Sequence, residues 1–308
     1  MLLSCARVKL NERYLLGPLI GEGGFGRTYE ATDERDGARV VVKELTLRGL
    51  PDWKPVEHFE REAAVLASLA HPGVPSFVES FTIEDEGGDL RYFIVSELIE
   101  GETLQARIDA RHRWTPEAAD ELAQALLGIL AYLHSMVPPV VHRDIKPANV
   151  VLRADDSPVL VDFGAVRELG VSGNTTATVL GTPGYMAPEQ ALGRSDARSD
   201  LYGLGATLAH VFTHRHPQEL LDESMRLDPK ALRSLPDSVR GLVSRLTEPA
   251  AGGDSGRVTI LADSRTNSVV VRAPSQARAN LAKSLIAKLD QGTSEKGNIH
   301  VVYLKMPT

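Results

Sequence analysis

The chain has 308 residues, enough for about two domains or one bilobal domain, and its 43% hydrophobic and 24% charged residues are ordinary for a globular protein. A formal net charge of -7 argues against a basic nucleic-acid-binding face, and the single cysteine, Cys5, rules out an internal disulfide. No apolar run approaches the roughly 18 residues of a membrane-spanning helix, and the first ten residues lack the apolar stretch of a signal peptide. We therefore expect a cytoplasmic protein that neither binds nucleic acid nor crosses a membrane.

The first hundred residues predict a strand-rich region. Residues 14–48 alternate short apolar runs with glycines and polar turns, a pattern typical of strands and hairpins. The stretch KPVEHFEREAAVLASLAHPG predicts a helix that stops at His71-Pro72-Gly73. Its apolar residues recur at helical spacing: Phe59, Ala63, Leu66 and Leu69. The stretch RYFIVSELIEG predicts a buried strand that leads into a loop.

The next hundred and fifty residues predict more helix. Residues 115–135 form a long helical pattern in which Thr115 can cap the amino end and Pro116 suits the first turn. Short strands and turns follow, and then two further helical stretches, SDLYGLGATLAHVFTH and DSVRGLVSRLTEP. A strand-rich part followed by a helix-rich part predicts the α+β class, with two lobes and a cleft between them.

The character of the sequence changes near residue 250. The stretch AAGGDSG at residues 250–256 is small and flexible, as in a linker. Beyond it, RVTILAD, NSVVVRA and NIHVVYLK predict strands, and PSQARANLAKSLIAKLDQ predicts an amphipathic helix. Residues 257–308 are therefore expected to form a separate, small α+β segment.

A glycine-rich stretch, GEGGFGRTY, is the first motif that can carry chemistry. Gly21, Gly23 and Gly26 have the spacing G-x-G-x-x-G, which is weak evidence alone and also fits a flexible hairpin. The functional alternative is a loop over phosphates, where the missing side chains let backbone N–H groups approach the anion. A dinucleotide-binding fold is disfavoured, because these glycines lie between two strands rather than at the start of a helix.

Lys43 ends the apolar run of VVVKEL and is a candidate cation for phosphate oxygens. A fixed cation needs a carboxylate to hold it, and Glu62 in the next helix is the candidate, with Glu57 and Glu60 as competitors on the same helix. The alternatives are that Lys43 extends from a strand end into water and that Glu62 faces solvent.

The stretch VVHRDIKPANVVL places five polar or charged residues between two apolar runs. It fits either a solvated loop or a set of groups held around a reaction. Thirteen residues beyond Asn149, Asp162 follows another apolar run in VDFG, where a charge is costly unless it serves as, for example, a metal ligand. Gly164 permits a sharp turn after it.

These motifs, taken in order, resemble a eukaryotic-like (Hanks-type) bacterial serine/threonine protein kinase. The resemblance covers residues 14–249, with an amino-terminal lobe at about 14–100 and a carboxy-terminal lobe at about 101–249. It is carried by Gly21, Gly23, Gly26, Lys43, Glu62, His142-Arg143-Asp144, Lys146, Asn149, Asp162-Phe163-Gly164, Ala187-Pro188-Glu189 and Asp200. It implies a bilobal kinase fold and a non-specific serine/threonine protein kinase that transfers the γ-phosphate of ATP to protein hydroxyl groups.

The resemblance also implies roles for individual residues. Lys43 holds the α- and β-phosphates and Glu62 fixes its side chain. Asn149 and Asp162 hold Mg²⁺, with Mn²⁺ as an alternative, while Asp144 accepts the proton of the substrate hydroxyl and Lys146 neutralises charge on the transferred group. The nucleotide-binding positions are Ile20, Gly21, Glu22, Gly23, Gly24, Phe25, Gly26, Thr28, Val41, Lys43, Ser96, Glu97, Ile99 and Val151.

The adenine pocket departs from the family pattern at two positions. Thr28 stands where valine is common, and Val41 stands where a small alanine is common, which narrows the pocket. Ser96 is expected to guard the back of the pocket, and Glu97 to Ile99 to form the hinge whose backbone reads adenine.

The activation segment runs from Asp162 to Glu189, and we expect autophosphorylation within it. Four hydroxyl residues are candidates: Ser172, Thr175, Thr176 and Thr178. A phosphate on one of them can pair with Arg143 beside the base, whereas the alternative is an unmodified polar loop.

The carboxy-terminal part departs further from the family. Arg257 is the nearby candidate partner of Glu189, but its context is wrong, so we expect a large lobe that lacks its last helix and is marginally stable. The tail at about 257–305 resembles part of a periplasmic repeat domain of type II secretion secretins. We interpret this junction as a fusion, rearrangement or assembly error rather than a natural docking module. The alternative function is therefore a catalytically impaired nucleotide-binding or scaffold protein.

Overall fold

The structure is a computed structural model that describes residues 8–22, 26–46, 54–84, 89–168, 181–190, 195–222, 226–248, 259–263, 268–272 and 300–303. The chain divides into two compact units, Met1–Ser172 and Gly173–Thr308. The domain boundaries expected from the sequence, near residues 100 and 250, stay predictions.

A six-stranded antiparallel sheet forms the first part of the first unit. Its strands are β1 (Lys9–Leu10), β2 (Tyr14–Glu22), β3 (Gly26–Asp33), β4 (Arg39–Thr46), β5 (Phe77–Glu84) and β6 (Leu90–Glu97). They lie in the order β1-β2-β3-β4-β6-β5. Side chains alternate across a strand, so each strand gives one face to the core. The core on that face consists of Leu10, Tyr14, Ala31, Val40, Val42, Phe93 and Val95.

Helix α1 (Lys54–Ser68) packs against β5 and β6. Its buried stripe contains the apolar residues that the sequence pattern predicted, Phe59, Ala63 and Leu66. The chain then turns through His71-Pro72-Gly73, where a side chain on Gly73 would lie 2.4 Å from Ile129. This close approach explains why glycine follows the proline.

The remainder of the first unit joins two helices to short strands. These elements are β7 (Glu102–Thr103), α2 (Leu104–Asp109), α3 (Pro116–Ser135), β8 (Val140–Val141), β9 (Val150–Leu152), β10 (Pro158–Leu160) and β11 (Arg167–Glu168). Thr115 caps α3 by accepting a hydrogen bond from the Ala118 N–H, and Pro116 occupies the first turn, as predicted. β9 pairs with β7 and β10, and β8 pairs with β11, so the loop between β8 and β9 is held at both ends.

The second unit contains α4 (Ala197–Thr213), a short 3₁₀ helix (Pro217–Leu220) and α5 (Asp237–Leu246). Asp196 caps α4 in a capping box with Ser199. The two α-helices approach closely at Gly205, where a side chain would lie 2.6 Å from Thr247.

Three strands are described in the tail: β12 (Thr259–Asp263), β13 (Ser268–Arg272) and β14 (His300–Tyr303). β12 pairs antiparallel with β13, and β13 pairs parallel with β14. The three strands predicted from the sequence are thus present. The predicted linker and tail helix lie outside the described residues.

The long helices predicted from the sequence are also present, whereas α2, which is only six residues long, was not predicted. Among the helices that the structure describes, none combines the length and apolar character needed to cross a lipid bilayer.

Candidate active site

Three charged side chains meet beside the six-stranded sheet. The Lys43 ammonium, on β4, lies 2.8 and 2.9 Å from the two carboxylate oxygens of Glu62 on α1. It also lies 3.0 Å from Oδ1 of Asp162. The Glu62 side chain is only 5% exposed and Asp162 is 52% exposed, so one carboxylate anchors the lysine inside and the other reaches solvent. The competing residues Glu57 and Glu60 are exposed on the same helix.

The charges of this cluster shift one another's pKa values. The Lys43 ammonium lowers the pKa of Asp162 to about 2, although burial opposes this shift. Burial alone would lower the pKa of Lys43, but the carboxylates of Glu62 and Asp162 raise it above its ordinary value. Burial raises the pKa of Glu62, and the Lys43 charge acts against that rise. Lys43 and Asp162 are therefore both charged at neutral pH.

Gly164 makes room for this cluster. A side chain there would place its Cβ 2.8 Å from Lys43 Nζ, 3.2 Å from Asp162 Oδ1 and 3.5 Å from Glu62 Oε2. No side chain fits at that distance without displacing the ammonium. Glycine is required here for space next to three charged groups. Its φ lies outside the left-handed region, so the turn itself does not require glycine, contrary to the expectation from the sequence.

The charged loop after β8 forms a second group of side chains in the same unit. Lys146 Nζ lies 2.7 Å from Oδ2 of Asp144, and Asn149 Nδ2 donates to the same oxygen at 3.0 Å and to the Asp144 carbonyl at 2.9 Å. The Asp144 side chain is 13% exposed. The carboxylate is thus held in one orientation by a cation and an amide, which an ordinary solvated loop would not require.

The buried His142 side chain positions this loop, and two residues of the site have left-handed backbone conformations. His142 is fully buried, its Nε2 lies 3.3 Å from the Val161 carbonyl, and its ring packs edge-on against Phe163. Arg143 and Asp162 both adopt left-handed backbone conformations, with φ of 72° and 63°. Such conformations cost of order 1–3 kcal/mol each and cluster at functional sites.

Several predicted nucleotide-binding residues share one face of the sheet. Across the strand pairs, Thr28 lies opposite both Gly21 and Lys43, and Val41 lies opposite Ser96. Directly opposed residues point to the same face, as do residues two apart on one strand. Gly21, Thr28, Val41, Lys43 and Ser96 therefore line the face opposite the apolar core of the sheet.

The other predicted nucleotide-binding residues occupy different environments. Ile20 and Glu22 are exposed near the end of β2, and Gly26 begins β3, where a side chain would lie 2.0 Å from the Glu44 carbonyl. Ile99 is buried beyond β6, and Val151 is half-buried on β9. Glu97, at the end of β6, is also half-buried, and the remaining three, Gly23, Gly24 and Phe25, lie outside the described residues.

A family profile described as the protein kinase domain matches residues 14–248. The chain belongs to the protein kinase domain family. The α+β kinase fold and the Hanks-type resemblance predicted from the sequence are thereby confirmed for this domain. The resemblance of the tail to secretins stays a prediction.

Curated relatives of the kinase domain come from several bacteria. The chain is 40% identical over 228 residues to "Serine/threonine-protein kinase PknA" of Nostoc sp., and the aligned part covers 70% of this chain and 39% of that protein. It is 39% identical over 230 residues to "Serine/threonine-protein kinase C" of Synechocystis sp., covering 70% of this chain and 42% of that protein. It is 37% identical over 212 residues to "Serine/threonine-protein kinase PknB" of Mycobacterium tuberculosis, and the aligned part covers 68% of this chain and 33% of that protein. The chain thus spans less than half the length of these relatives.

The kinase motifs of the second unit are partly described. Ala187 and Asp200 are buried, whereas Glu189 is half-buried. Burial and the nearby Asp196 raise the pKa of Glu189, and Arg198 opposes the rise. Its half-exposed position lowers the cost that we expected for a buried, unpaired glutamate. Arg257 and the four candidate phosphorylation sites lie outside the described residues.

The sequence did not predict the two residues that hold the Glu97 side chain at the predicted hinge. The Glu97 side chain is held by Ser76 and Arg153, although Glu97 was predicted only for its backbone. Neither Ser76 nor Arg153 belongs to a motif. Only their positions, just after the turn that follows α1 and just after β9, mark them as near the site.

Proposed function

We propose that this kinase domain transfers the γ-phosphate of ATP to serine and threonine hydroxyl groups of proteins. The observation that carries the proposal is the Asp144 carboxylate, held by Lys146 and Asn149 in the same compact unit as the Lys43–Glu62–Asp162 cluster. Phosphoryl transfer depends mainly on positioning and on stabilisation of charge, and these residues supply both.

Asp144 acts as the general base in this proposal. Its carboxylate takes the proton of the substrate hydroxyl as that oxygen bonds to the γ-phosphorus, and the bond from phosphorus to the β-phosphate oxygen breaks to leave ADP. Help of this kind is typically worth about 100- to 10,000-fold in rate. Lys146, 2.7 Å from Asp144, places a positive charge where negative charge develops.

Lys43 holds the α- and β-phosphates in this proposal. Its ammonium is fixed by Glu62 before any nucleotide arrives, so little conformational entropy is lost on binding. Glu62 is a positioning residue, because it acts through the lysine. Val41 and Ser96 lie on the same sheet face as Lys43 and would border the base.

The kinase family uses ATP and a divalent cation, and we propose Mg²⁺, with Mn²⁺ as the alternative. The donor set fits, because Asp162 offers an ionised, half-exposed carboxylate and Asn149 an amide oxygen, the ligand types that hard cations prefer. When bound, the cation supplies positive charge to the phosphate oxygens.

The class of substrate is inferred from two features. The curated relatives are named as serine/threonine-protein kinases. Lys146 in HRDIKPAN and Thr182 in GTPGY match serine/threonine rather than tyrosine kinases. Because ATP is a cytoplasmic substrate, we propose a cytoplasmic location for this domain. We also propose that it has no nucleic-acid partner, because its formal net charge is -7.

We also propose autophosphorylation on one or more of Ser172, Thr175, Thr176 and Thr178, with Arg143 as the partner of the phosphate. Peptide mapping of protein incubated with ATP tests this. A map in which all four residues stay unmodified, while the protein labels elsewhere, would contradict this part of the proposal.

The deciding experiment compares the purified chain with Asp144→Asn in the presence of Mg²⁺ and γ-labelled ATP. We expect label on the wild type and a loss of at least about 100-fold in the variant, the lower bound for a missing general base. We also expect both proteins to bind nucleotide, because Asp144 is placed at the hydroxyl and not at the base or ribose.

Two other outcomes have defined meanings. A protein that binds nucleotide but is not labelled, with or without an added protein substrate, would favour the alternative of a nucleotide-binding or scaffold protein. Equal labelling of wild type and Asp144→Asn would show that Asp144 is not the base.

A further inference from the structure

A second charged cluster lies at the end of β6, away from Lys43. Glu97 is the last residue of that strand, and its Oε2 accepts hydrogen bonds from the Ser76 amide at 3.1 Å and from Ser76 Oγ at 3.0 Å. Its Oε1 accepts from Arg153 Nη2 at 3.0 Å. Both carboxylate oxygens are therefore engaged. We call Glu97, Ser76 and Arg153 the hinge cluster.

Arg153 connects the hinge cluster to the rest of the unit. Its Nη1 donates to the Pro72 carbonyl at 2.8 Å, while its backbone N–H donates to the Ser157 carbonyl at 3.0 Å in the turn between β9 and β10. One guanidinium thus joins the turn after α1 to the end of β6. The planar fork of arginine suits this role, because it can serve two acceptors at once in a fixed geometry.

Backbone hydrogen bonds hold the same segment from other directions. The Glu97 N–H donates to the Ser76 carbonyl at 2.9 Å, and the Leu98 N–H donates to the Arg39 carbonyl at 3.3 Å. Ser76 therefore contacts Glu97 through its backbone carbonyl, its amide and its hydroxyl. The start of the predicted hinge is fixed by β4 on one side and by the hinge cluster on the other.

The hinge cluster has more hydrogen bonds than a simple surface ion pair. The side chains of Arg153 and Glu97 are 32% and 37% exposed, and three hydrogen bonds converge on one carboxylate. Burial alone would raise the pKa of Glu97, but the hydrogen bonds from Ser76 and the Arg153 charge hold it below its ordinary value. Glu97 stays ionised at neutral pH, so the cluster is intact there.

We propose that Ser76 and Arg153 are positioning residues for nucleotide binding: by holding the Glu97 carboxylate, they fix the backbone of Glu97–Ile99, on which the affinity for the adenine base depends. This inference rests on the proposed function, because it assumes that the face bearing Val41 and Ser96 receives ATP. Neither Ser76 nor Arg153 belongs to a kinase motif of the sequence, so both are additional requirements for nucleotide binding. The two residues act through Glu97 and do not touch the reacting groups.

The test measures nucleotide affinity and turnover separately. For Arg153→Ala we expect the dissociation constant of a non-hydrolysable ATP analogue with Mg²⁺, and the KM for ATP, to rise about three- to tenfold, the effect of losing a charge-assisted hydrogen bond that is partly exposed. We expect kcat to change by less than about twofold, because the groups that stabilise the transition state are untouched. Ser76→Ala, which removes one hydroxyl, should give a smaller rise.

Two further variants separate positioning from general stability. Arg153→Lys keeps the charge but not the fork, so it should restore part of the affinity. Arg240→Ala is a matched control, because Arg240 also joins a carboxylate, that of Asp237, to a backbone carbonyl, that of Arg233, but does so in the second unit. It should leave the dissociation constant and KM unchanged. Melting temperatures of all variants show whether any loss reflects unfolding.

The outcomes distinguish this inference from the proposed function. If the wild type binds the analogue without labelling protein and Arg153→Ala binds it more weakly, the positioning role stands and the proposed activity fails. If a folded Arg153→Ala binds the analogue as the wild type does, or changes kcat with KM unaltered, the positioning role is wrong while the activity stands. A wild type that binds no nucleotide overturns both.

Discussion

Replacement of Lys43 by methionine tests the central ion pair most directly. Methionine has nearly the length of the lysine stem but no charge, so the change leaves the Glu62 carboxylate, which is 5% exposed, without its cation. We expect phosphoryl transfer to be lost and the protein to be destabilised. The two effects have different causes and can be measured independently.

The expected loss of stability follows from the burial of the two partners. Removing one member of a fully buried pair costs about 3–5 kcal/mol, because the other charge stays uncompensated. Lys43 is 28% exposed and Asp162 is 52% exposed, so solvent screens part of the interaction. We therefore expect a loss of roughly 2–3 kcal/mol near neutral pH, between the values for buried and for surface pairs.

The loss should depend on pH with a defined sign. Burial already raises the pKa of Glu62, and removing the Lys43 charge raises it further. A carboxyl whose pKa is higher in the folded than in the unfolded state favours the fold while protonated, and this contribution disappears as the pH rises through the folded pKa. The variant should therefore be less stable at about pH 8 than at about pH 5.5. The difference should be about 1.4 kcal/mol for every pH unit of that interval over which Glu62 is protonated in the folded chain and ionised in the unfolded chain.

Urea unfolding at both pH values provides the assay. Lys9→Met is the matched control, because Lys9 pairs with Glu34 at 2.6 Å with both side chains nearly half exposed. That variant should lose at most about 1 kcal/mol, without the pH dependence. The double change Lys43→Met with Glu62→Leu should recover stability and abolish the pH dependence. A Lys43→Met protein as stable as the Lys9→Met control at both pH values would refute the reasoning.

Two further predictions concern the same cluster. Gly164→Ala should lower kcat/KM by about tenfold or more and cost no more stability than Lys43→Met, because its Cβ, 2.8 Å from Lys43 Nζ, displaces the end of a side chain rather than backbone. Gly128→Ala, which meets no atom within 4 Å, is the control and should leave kcat/KM unchanged; equal kcat/KM in both would contradict the crowding argument. A chelator should stop protein labelling, added Mg²⁺ should restore it, and labelling that persists in excess chelator would oppose a divalent cation held by Asp162.

Local sequence patterns predicted most of the helices and strands, because helix capping and side-chain periodicity depend on residues that are close in the sequence. The cap at Thr115 and the proline after it set the start of α3 as predicted, since both act within one helical turn. Helix α2 was missed because six residues are too few to show a 3.6-residue period. Short elements of this kind are fixed by their neighbours rather than by their own sequence.

The choice among three glutamates in α1 shows what sequence could have decided. Glu62 lies within the apolar stripe that includes Phe59 and Ala63, whereas Glu57 and Glu60 lie outside it, and the structure leaves both of these exposed. A carboxylate in an apolar stripe is costly unless it is paired, so the helix phase alone favoured Glu62. The two competitors stayed open because the prediction did not use this phase.

The hinge cluster shows what the sequence could not supply. Arg153 and Glu97 are 56 residues apart, and Ser76 lies 21 residues before Glu97. An arginine after a strand and a serine before another are ordinary surface residues in any composition or periodicity analysis. Their convergence on one carboxylate depends on the pairing of β5 with β6 and on the turn between β9 and β10, which only the folded chain defines.

The two charged clusters of the first unit have different consequences under the proposed function. Lys43 and Val41 lie on one face of β4, opposite Ile94 and Ser96 of β6. Glu97 is the next residue of β6 and lies opposite Val40, so its side chain points to the other face while its backbone continues the strand. The Lys43 cluster engages phosphates, which change charge during the reaction, and its loss should therefore lower kcat. The hinge cluster fixes the segment that contacts the base, which does not react, and its loss should raise KM alone. If Arg153→Ala lowered kcat as Lys43→Met does, with affinity intact, this division of roles between the two clusters would be wrong.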